Sequence, residues 1–348
     1  MKILVTGGAG YIGSVVTDEL LEKGHDVIVI DNLQEGNGAA VSLEATFVQA
    51  EIGDVSALEG IFSRHRVDAV FHFAAETTIK ISMTDPQIYF DNNVVQGLTL
   101  LKEMLKHNVK KMIFSSTAAV FGEPQYTPID EAHPKAPINT YGESKLMFEK
   151  ILTWYNRAYG LRSNSFRYFN AAGATSRLGE AHKHESHLIP AILTPVLGLI
   201  SRAGEKKSSR KSDGQQPVRI FGGDYPTSDG TCVRDYVHVQ DIAQAHVLAL
   251  DNLERNPLAF YNLGNQRGYT NLEVLQTASK VVGVSIPYEI APRREGDPAV
   301  LVASSELAKK ELAWEPGYSS LDTIVGSAWK WMQQHPQGYL PAGKLKEA

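Results

Sequence analysis

Lys2-Ile3-Leu4-Val5-Thr6-Gly7-Gly8-Ala9-Gly10-Tyr11-Ile12-Gly13 sets the reading of this 348-residue chain. Lys2 to Val5 is a compact apolar run of the kind shown by a parallel strand buried on both faces. Tyr11 to Leu21 carries its apolar residues at helical spacing. Between them, Gly8, Gly10 and Gly13 satisfy G-x-G-x-x-G, and Gly7, Gly10 and Gly13 satisfy G-x-x-G-x-x-G. Residues without Cβ permit a tight turn, close backbone approach to a pyrophosphate and close helix-to-strand packing, and the helix N-terminus offers free N–H groups to phosphate. A plain strand-to-helix turn uses the same residues, so the fingerprint gains weight only from other residues further along the chain.

The next strand, Asp26 to Ile30, ends at Asp31, eighteen residues after Gly13. A carboxylate there accepts hydrogen bonds from the adenosine ribose and repels a 2′-phosphate, which favours NAD over NADP. Asp54 comes after a third strand, Thr46 to Gln49. It suits either contact with adenine or a cap on the helix Ser56 to Ser63.

Strands and helices then alternate: strand Ala69 to His72, helix Pro86 to Lys106, strand Lys111 to Ser115, helix Tyr141 to Tyr159, strand Ser163 to Tyr168. This rhythm predicts an α/β fold, a Rossmann-type doubly wound parallel sheet. After Gly173 it becomes irregular, which predicts a smaller C-terminal α/β lobe capping the substrate. The expected division is 1–175 for the nucleotide lobe, with a return near 235–255, and 176–348 for the cap. Trp329 and Trp331 fit a C-terminal amphipathic helix on that cap.

A net charge of −5 gives no electrostatic case for nucleic acid or an anionic membrane. No apolar run approaches the roughly 20 residues that span a bilayer, and Met1 leads straight into a strand, so neither a membrane anchor nor a signal peptide is expected. The one cysteine, Cys232, excludes an intrachain disulfide, reads as a small buried side chain, and fits a cytoplasmic protein. His182, His184 and His187, with Glu185, have a metal-like spacing, but a loop is the better reading and no metal is expected. Glu205 to Pro217 reads as a solvated polar loop.

Tyr141 and Lys145 are i and i+4 on a predicted helix and share a face. A phenol near pH 10 is a poor base, but a neighbouring ammonium and a nicotinamide cation both favour phenolate. With the glycine loop in the same chain, this pair predicts hydride chemistry. A third group should come from Ser115-Ser116-Thr117 at the C-terminal end of its strand, the edge where open α/β sheets bind ligands. Thr117 is the choice over Ser116 for relaying the proton of a sugar hydroxyl.

On TGGAGYIGS from Thr6, DNL from Asp31, HFAA from His72, DNNV from Asp91, SSTAAVFGEP from Ser115, YGESK from Tyr141, RYFNAAGA from Arg167, HLIP from His187, the IFGGDYPTSDGTCVRDYVHVQD run from Ile220, RREGDPA from Arg293 and HPQGY from His335, the chain resembles the extended short-chain dehydrogenase/reductases. Within them it resembles the UDP-hexose 4-epimerases, over nearly its full length. The resemblance implies an NAD site of Gly7, Gly10, Tyr11, Ile12, Gly13, Asp31, Asn32, Asp54, Phe73, Ala74, Asn92, Ser115, Tyr141, Lys145 and Tyr168. It implies a UDP-sugar site of Ser82, Thr117, Asn170, His187, Leu188, Arg219, Phe221, Arg234, Arg294 and Asp297, with Thr117, Tyr141 and Lys145 catalytic. Arg234 and Arg294 suit a diphosphate, Phe221 a uracil, and Asp297 ribose hydroxyls.

The implied activity is interconversion of UDP-galactose and UDP-glucose: oxidation at C4 by retained NAD, rotation of the 4-keto-hexose, and reduction on its other face. A homodimer through the helices Pro86 to Lys106 and Tyr141 to Tyr159 is also implied. Nucleotide-sugar dehydratases of this group carry Asp-Glu after the threonine, where this chain has Ala118 and Ala119, which argues against elimination. A silent NAD-binding sensor would lack the tyrosine or the lysine. The departures are Lys80 and Ile81 beside the site, Phe121 for a usual tyrosine, the long 205–217 loop, and Leu301 at a position that governs acceptance of N-acetylated sugars. An epimerase for another nucleotide sugar, such as UDP-N-acetylglucosamine, is the alternative.

Overall fold

The structure, a computed structural model, describes residues 1–183, 187–203, 217–294, 296–339 and 346–347. His184, Glu185 and all of the predicted loop except Pro217 lie outside the described residues.

In chain order the first half runs β1 (Lys2–Thr6), α1 (Tyr11–Glu22), β2 (Asp26–Asp31), β3 (Thr46–Gln49), α2 (Val55–Arg64), β4 (Ala69–His72), α3 (Ile79–Ser82), α4 (Pro86–Phe90), α5 (Gly97–Lys106), β5 (Lys111–Thr117), α6 (Thr140–Tyr159) and β6 (Arg162–Tyr168). The second half runs β7 (Asn170–Ala172), α7 (Leu188–Ala203), β8 (Val218–Phe221), β9 (Val233–His238), α8 (Val239–Arg255), β10 (Leu258–Leu263), β11 (Gly268–Thr270), α9 (Asn271–Val282), β12 (Tyr288–Ala291), β13 (Val300–Leu301), α10 (Glu306–Leu312), α11 (Leu321–Gln334) and β14 (Lys346–Glu347).

The main sheet is parallel throughout, in the order β10-β6-β5-β4-β1-β2-β3, with the short β14 beyond β3. It is the doubly wound sheet expected from the sequence, and the order reverses between β1 and β4, where such sheets bind nucleotides. Strand alternation sorts the side chains into two cores. Ile3, Val5, Val27, Val29, Phe71 and Phe166 face one side, where α1, α8 and Trp314 cover them. Leu4, Ile28, Ile30, Val70, Met112 and Phe114 face the other, under α2, α5 and α6. Both faces are buried, which is why these strands read as continuous apolar runs.

The predicted helix from Pro86 to Lys106 is continuous but changes pitch: Asp91–Gln96 is a π-helical segment between α4 and α5. Such an insertion re-aims side chains and is frequent at functional sites. Here it buries Asn93. The Asn93 Oδ1 accepts from Glu76 N (2.8 Å), and its Nδ2 donates to Glu76 O and Ser144 Oγ (both 3.0 Å). One amide thus ties the loop after β4 to α6.

Beyond β6 the chain builds a second cluster from α7, α9 and α11 around Ile220, Tyr236 and Tyr269. The β9 strand is its centre, pairing with β7, β11 and β13, while β8 pairs with β12. Trp329 and Trp331 are buried on α11. The chain also re-enters the first lobe, where α8 joins the core beneath α1 and β10 pairs with β6 at the sheet edge. Among the described residues, no helix is long and apolar enough to cross a membrane.

Candidate active site

Thr117 is the last residue of β5 and caps a 3-10 turn, Ala118–Phe121, by accepting from Ala119 N (3.1 Å). Directly above that turn begins α6, capped by the Asn139 side chain on Gly142 N (2.8 Å). A Cβ on Gly142 would lie 2.5 Å from Ala119 O, so only glycine lets the helix end settle this close to the turn. The approach brings Tyr141 near enough to Thr117 for the threonine side chain to act on its phenol. One turn along, the buried Lys145 Nζ donates to Ser115 O (2.8 Å) and stands 4.9 Å from the Phe114 ring centre. Thr117, Tyr141 and Lys145 therefore meet at the C-terminal edge of the sheet.

Their electrostatics differ from the sequence expectation in one respect. Burial pushes the Tyr141 phenol up, against the Thr117 side chain, which pulls it down. Burial also brings the Lys145 ammonium down to about 7, with Glu149 opposing the drop. The lysine alone does not make Tyr141 a phenolate. A further positive charge beside the phenol is required, and an oxidised nicotinamide carries one.

Glu149, one turn beyond Lys145, sits in a buried network that no sequence motif announces. It receives both Arg167 Nε (2.9 Å) and Nη2 (2.7 Å), and Ser116 Oγ donates to it (2.6 Å). Ser116 is thereby turned into the protein and bonded there. Tyr89 is another contributor without a motif of its own, packing edge-on against Tyr141 with centroids 6.5 Å apart.

The cofactor cradle is equally tight. A Cβ on Gly7, whose φ is +71°, would stand 2.5 Å from Ala74 N, and one on Gly13 would stand 2.2 Å from Gly7 O. Asp31 is buried at the end of β2, accepting from Ala9 N (3.0 Å) and Leu33 N (2.8 Å). A carboxylate has about four lone-pair sites, so capacity for a ribose remains. These features fit NAD. Tyr11 donates to Gly173 O (2.6 Å), and Tyr168 meets His246 Nε2 (2.7 Å), with Phe73 tilted on the same histidine. Ile12 and Gly10 line the start of α1, Asn32 turns on Gln34 N (2.9 Å), and Asn92 donates to Asn93 (3.0 Å). Asp54 caps α2 through Ser56 N (2.9 Å) and Ala57 N (3.0 Å) while remaining exposed, so its cap role is present in the fold.

On the cap side, Arg234 pairs with Asp297 and donates to Val233 O (2.7 Å). Two guanidinium groups lie over the Phe221 ring, Arg294 at 4.0 Å and Arg219 at 5.3 Å from its centre. Asn170 is oriented by Asp235 O (2.9 Å). Leu188 opens α7, and His187, just before it, contacts Glu180 (2.5 Å). This side reaches the catalytic edge through Leu301, packed on the Val120, Phe121, Ile129 and Leu146 cluster, and through Gly296 beside Ile138. Ser82 is less available: it is fully buried, and its hydroxyl donates to Ile79 O (2.8 Å), whereas Lys80 and Ile81 are exposed. Cys232 is buried and receives Asn271 Nδ2 (3.1 Å), as a small core side chain.

Fold and site together define a nicotinamide-dinucleotide enzyme of the tyrosine–lysine dehydrogenase type. The NAD dependent epimerase/dehydratase family model matches residues 3–264, and the chain belongs to that family. It is 49% identical to the UDP-glucose 4-epimerase of Halalkalibacterium halodurans, covering 100% of both chains. Among solved structures, UDP-glucose 4-epimerase from Bifidobacterium longum, in complex with NAD+ and UDP, has a TM-score of 0.86 at 38% identity, with 97% of this chain and 100% of that one covered. The enzyme from Stenotrophomonas maltophila, with bound NAD and formylated UDP-arabinopyranose, has a TM-score of 0.88 at 37% identity, covering 97% and 99%.

Proposed function

We propose that this enzyme interconverts UDP-galactose and UDP-glucose. The observation that carries the reading is the convergence of Thr117 at the end of β5 with Tyr141 and, one turn along α6, Lys145 on Ser115 O, at the sheet edge fed by the glycine cradle. NAD, when bound, supplies acceptance and return of one hydride. Tyr141 removes and later returns the proton of the sugar 4-hydroxyl, with Thr117 holding that hydroxyl in line. Lys145, one turn along α6 from Tyr141, is placed to bond a nicotinamide ribose. Ala118 and Ala119 offer no carboxylate to drive loss of water from a 4-keto sugar.

Arg234 and Arg294 hold the diphosphate, Phe221 the uracil and Asp297 the ribose, with Asn170, His187, Leu188 and Arg219 around the sugar nucleotide. The Arg234–Asp297 pair keeps two charges matched until the nucleotide divides them between its phosphate and its ribose. The cap spans 176–348 apart from the return into the nucleotide lobe. The enzyme works in the cytoplasm, as a homodimer joined through α4–α5 and α6. Exposed Val95 (55%) and Trp154 (64%) on these helices support that surface.

The test is purified protein, without added NAD, incubated with UDP-galactose and assayed chromatographically for UDP-glucose beside Tyr141→Phe. Formation that falls about 10²–10⁴-fold in the variant, with NAD content unchanged, supports the reading. Folded, NAD-loaded protein without turnover overturns it.

A further inference from the structure

Where the chain crosses from the nucleotide lobe to the cap, two imidazoles converge on one carboxylate. Glu180 Oε1 lies 3.2 Å from His182 Nδ1 and 2.5 Å from His187 Nδ1. One ligand atom from each of the three residues lies within 4.8 Å of the others. The Glu180 side chain is only 7% exposed, whereas His182 and His187 are 28% and 52% exposed, so the carboxylate is buried and the imidazoles lie nearer the surface.

We infer that Glu180, His182 and His187 form a site for a divalent transition cation of the zinc class. Two imidazoles and one carboxylate are a borderline-soft set that favours Zn²⁺ or Co²⁺ over Mg²⁺ or Ca²⁺. Such ligands sit about 2.0–2.2 Å from zinc and hence roughly 3.3 Å apart. The His182–Glu180 spacing of 3.2 Å already has that value, and the His187 nitrogen needs to retreat by less than 1 Å. The ion takes the place of the shared proton in the present hydrogen bonds. Lys183 does not enter the cluster: its ammonium reaches away to Leu33 O (3.1 Å) and Gln34 O. The other acid–histidine cluster, Glu59, Glu103 and His107, already holds the Lys106 ammonium, which does a cation's work there.

Occupancy ties the 180–182 segment to the N-terminus of α7. Resting on the proposed role of His187 toward the UDP-sugar, it also removes that side chain from substrate and makes the metal a competitive inhibitor. Tag-free, NAD-loaded enzyme is titrated with Co²⁺ and with Zn²⁺, read by visible absorption and equilibrium dialysis, beside His182→Ala and Glu180→Gln. One ion per chain, bound at least tenfold more weakly by both variants, with His182→Ala keeping its metal-free turnover, is the expected result. No stoichiometric binding, or equal binding by both variants, overturns the site. In the kinetic arm, zinc should raise the KM for UDP-galactose in the parent and not in His182→Ala. Binding without that rise leaves the site standing and overturns the inhibition and the His187 assignment.

Discussion

Lys145 and Glu149 are spaced like Tyr141 and Lys145, one turn apart on α6, but the second pair belongs to the interior. Glu149 and Arg167 are each about 3% exposed and bonded twice. Removing one charge of such a pair leaves the other buried and unpaired, at about 3–5 kcal/mol. Glu149→Gln should therefore lose about that much stability in urea unfolding, while the exposed pair partner Lys280→Ala on Asp322 should change it by under about 1 kcal/mol. His246 gives a pH-dependent counterpart. Burial holds its imidazole down at about 3, well below the ordinary 6.5, while its ring bonds Tyr168 and Ile242. Between those values the unfolded chain binds the proton and the folded chain does not, so its contribution is present at neutral pH and is lost as pH falls from 6.5. Relative to His246→Gln, the parent should lose roughly 2–3 kcal/mol more between pH 6 and pH 4 in denaturant titrations.

Among the elements, the strand–loop–helix unit at β1–α1 depends on two contacts that a single methyl group would destroy. Gly13→Ala pushes a Cβ into Gly7 O at 2.2 Å, where the neighbour is backbone and cannot swing aside. The helix end must shift off the loop, and the phosphate cradle opens with it. The expected outcome is folded protein with little or no retained NAD, read by absorbance of cofactor released on denaturation; full retention would contradict the cradle. The π segment between α4 and α5 is the other element where local geometry serves the site. Apolar spacing predicts a helix there correctly, but a one-residue change in pitch leaves no mark in such a pattern. The tell-tale in the sequence is polar: Asn92-Asn93 within an otherwise good helix, whose second amide is spent on Glu76 and Ser144.

Across the molecule, the proposed function divides the work: the second lobe supplies the charges for a nucleotide sugar, and the first supplies the chemistry. Their junction is made by Leu301, by Gly296 at Ile138, and by Ile129 N donating to Val302 O (2.8 Å). The proposed dimer belongs to this scale as well. Trp154 is 64% exposed on α6, with the Arg157 guanidinium 5.1 Å from its ring. Trp154→Glu should convert a dimer into monomer in light scattering without loss of NAD, since the residue is on the outer surface of its helix. A parent protein that is monomeric at micromolar concentration would refute the dimer.

The alternation of strands and helices through β6, the glycine cradle, Asp31 and the Tyr141–Lys145 pair were all legible in the unfolded string of residues, whereas β10 and β14, which join the sheet's two edges, were not. Each legible feature is a local pattern, in which periodicity, missing Cβ atoms or i, i+4 spacing act between near neighbours. Contacts between residues far apart in the chain required the folded molecule. Thr117 comes beside Tyr141 only because α6 lands on the turn after β5, and Ser116 is bonded to Glu149 in the interior. Asp297 and Arg234, 63 residues apart, become partners. Glu180 turns a loop of histidines into a compact cluster. Burial is also a property of the assembled fold, and it raises Tyr141 and lowers Lys145, leaving the bound nicotinamide to supply the charge that i, i+4 spacing alone assigns to the lysine.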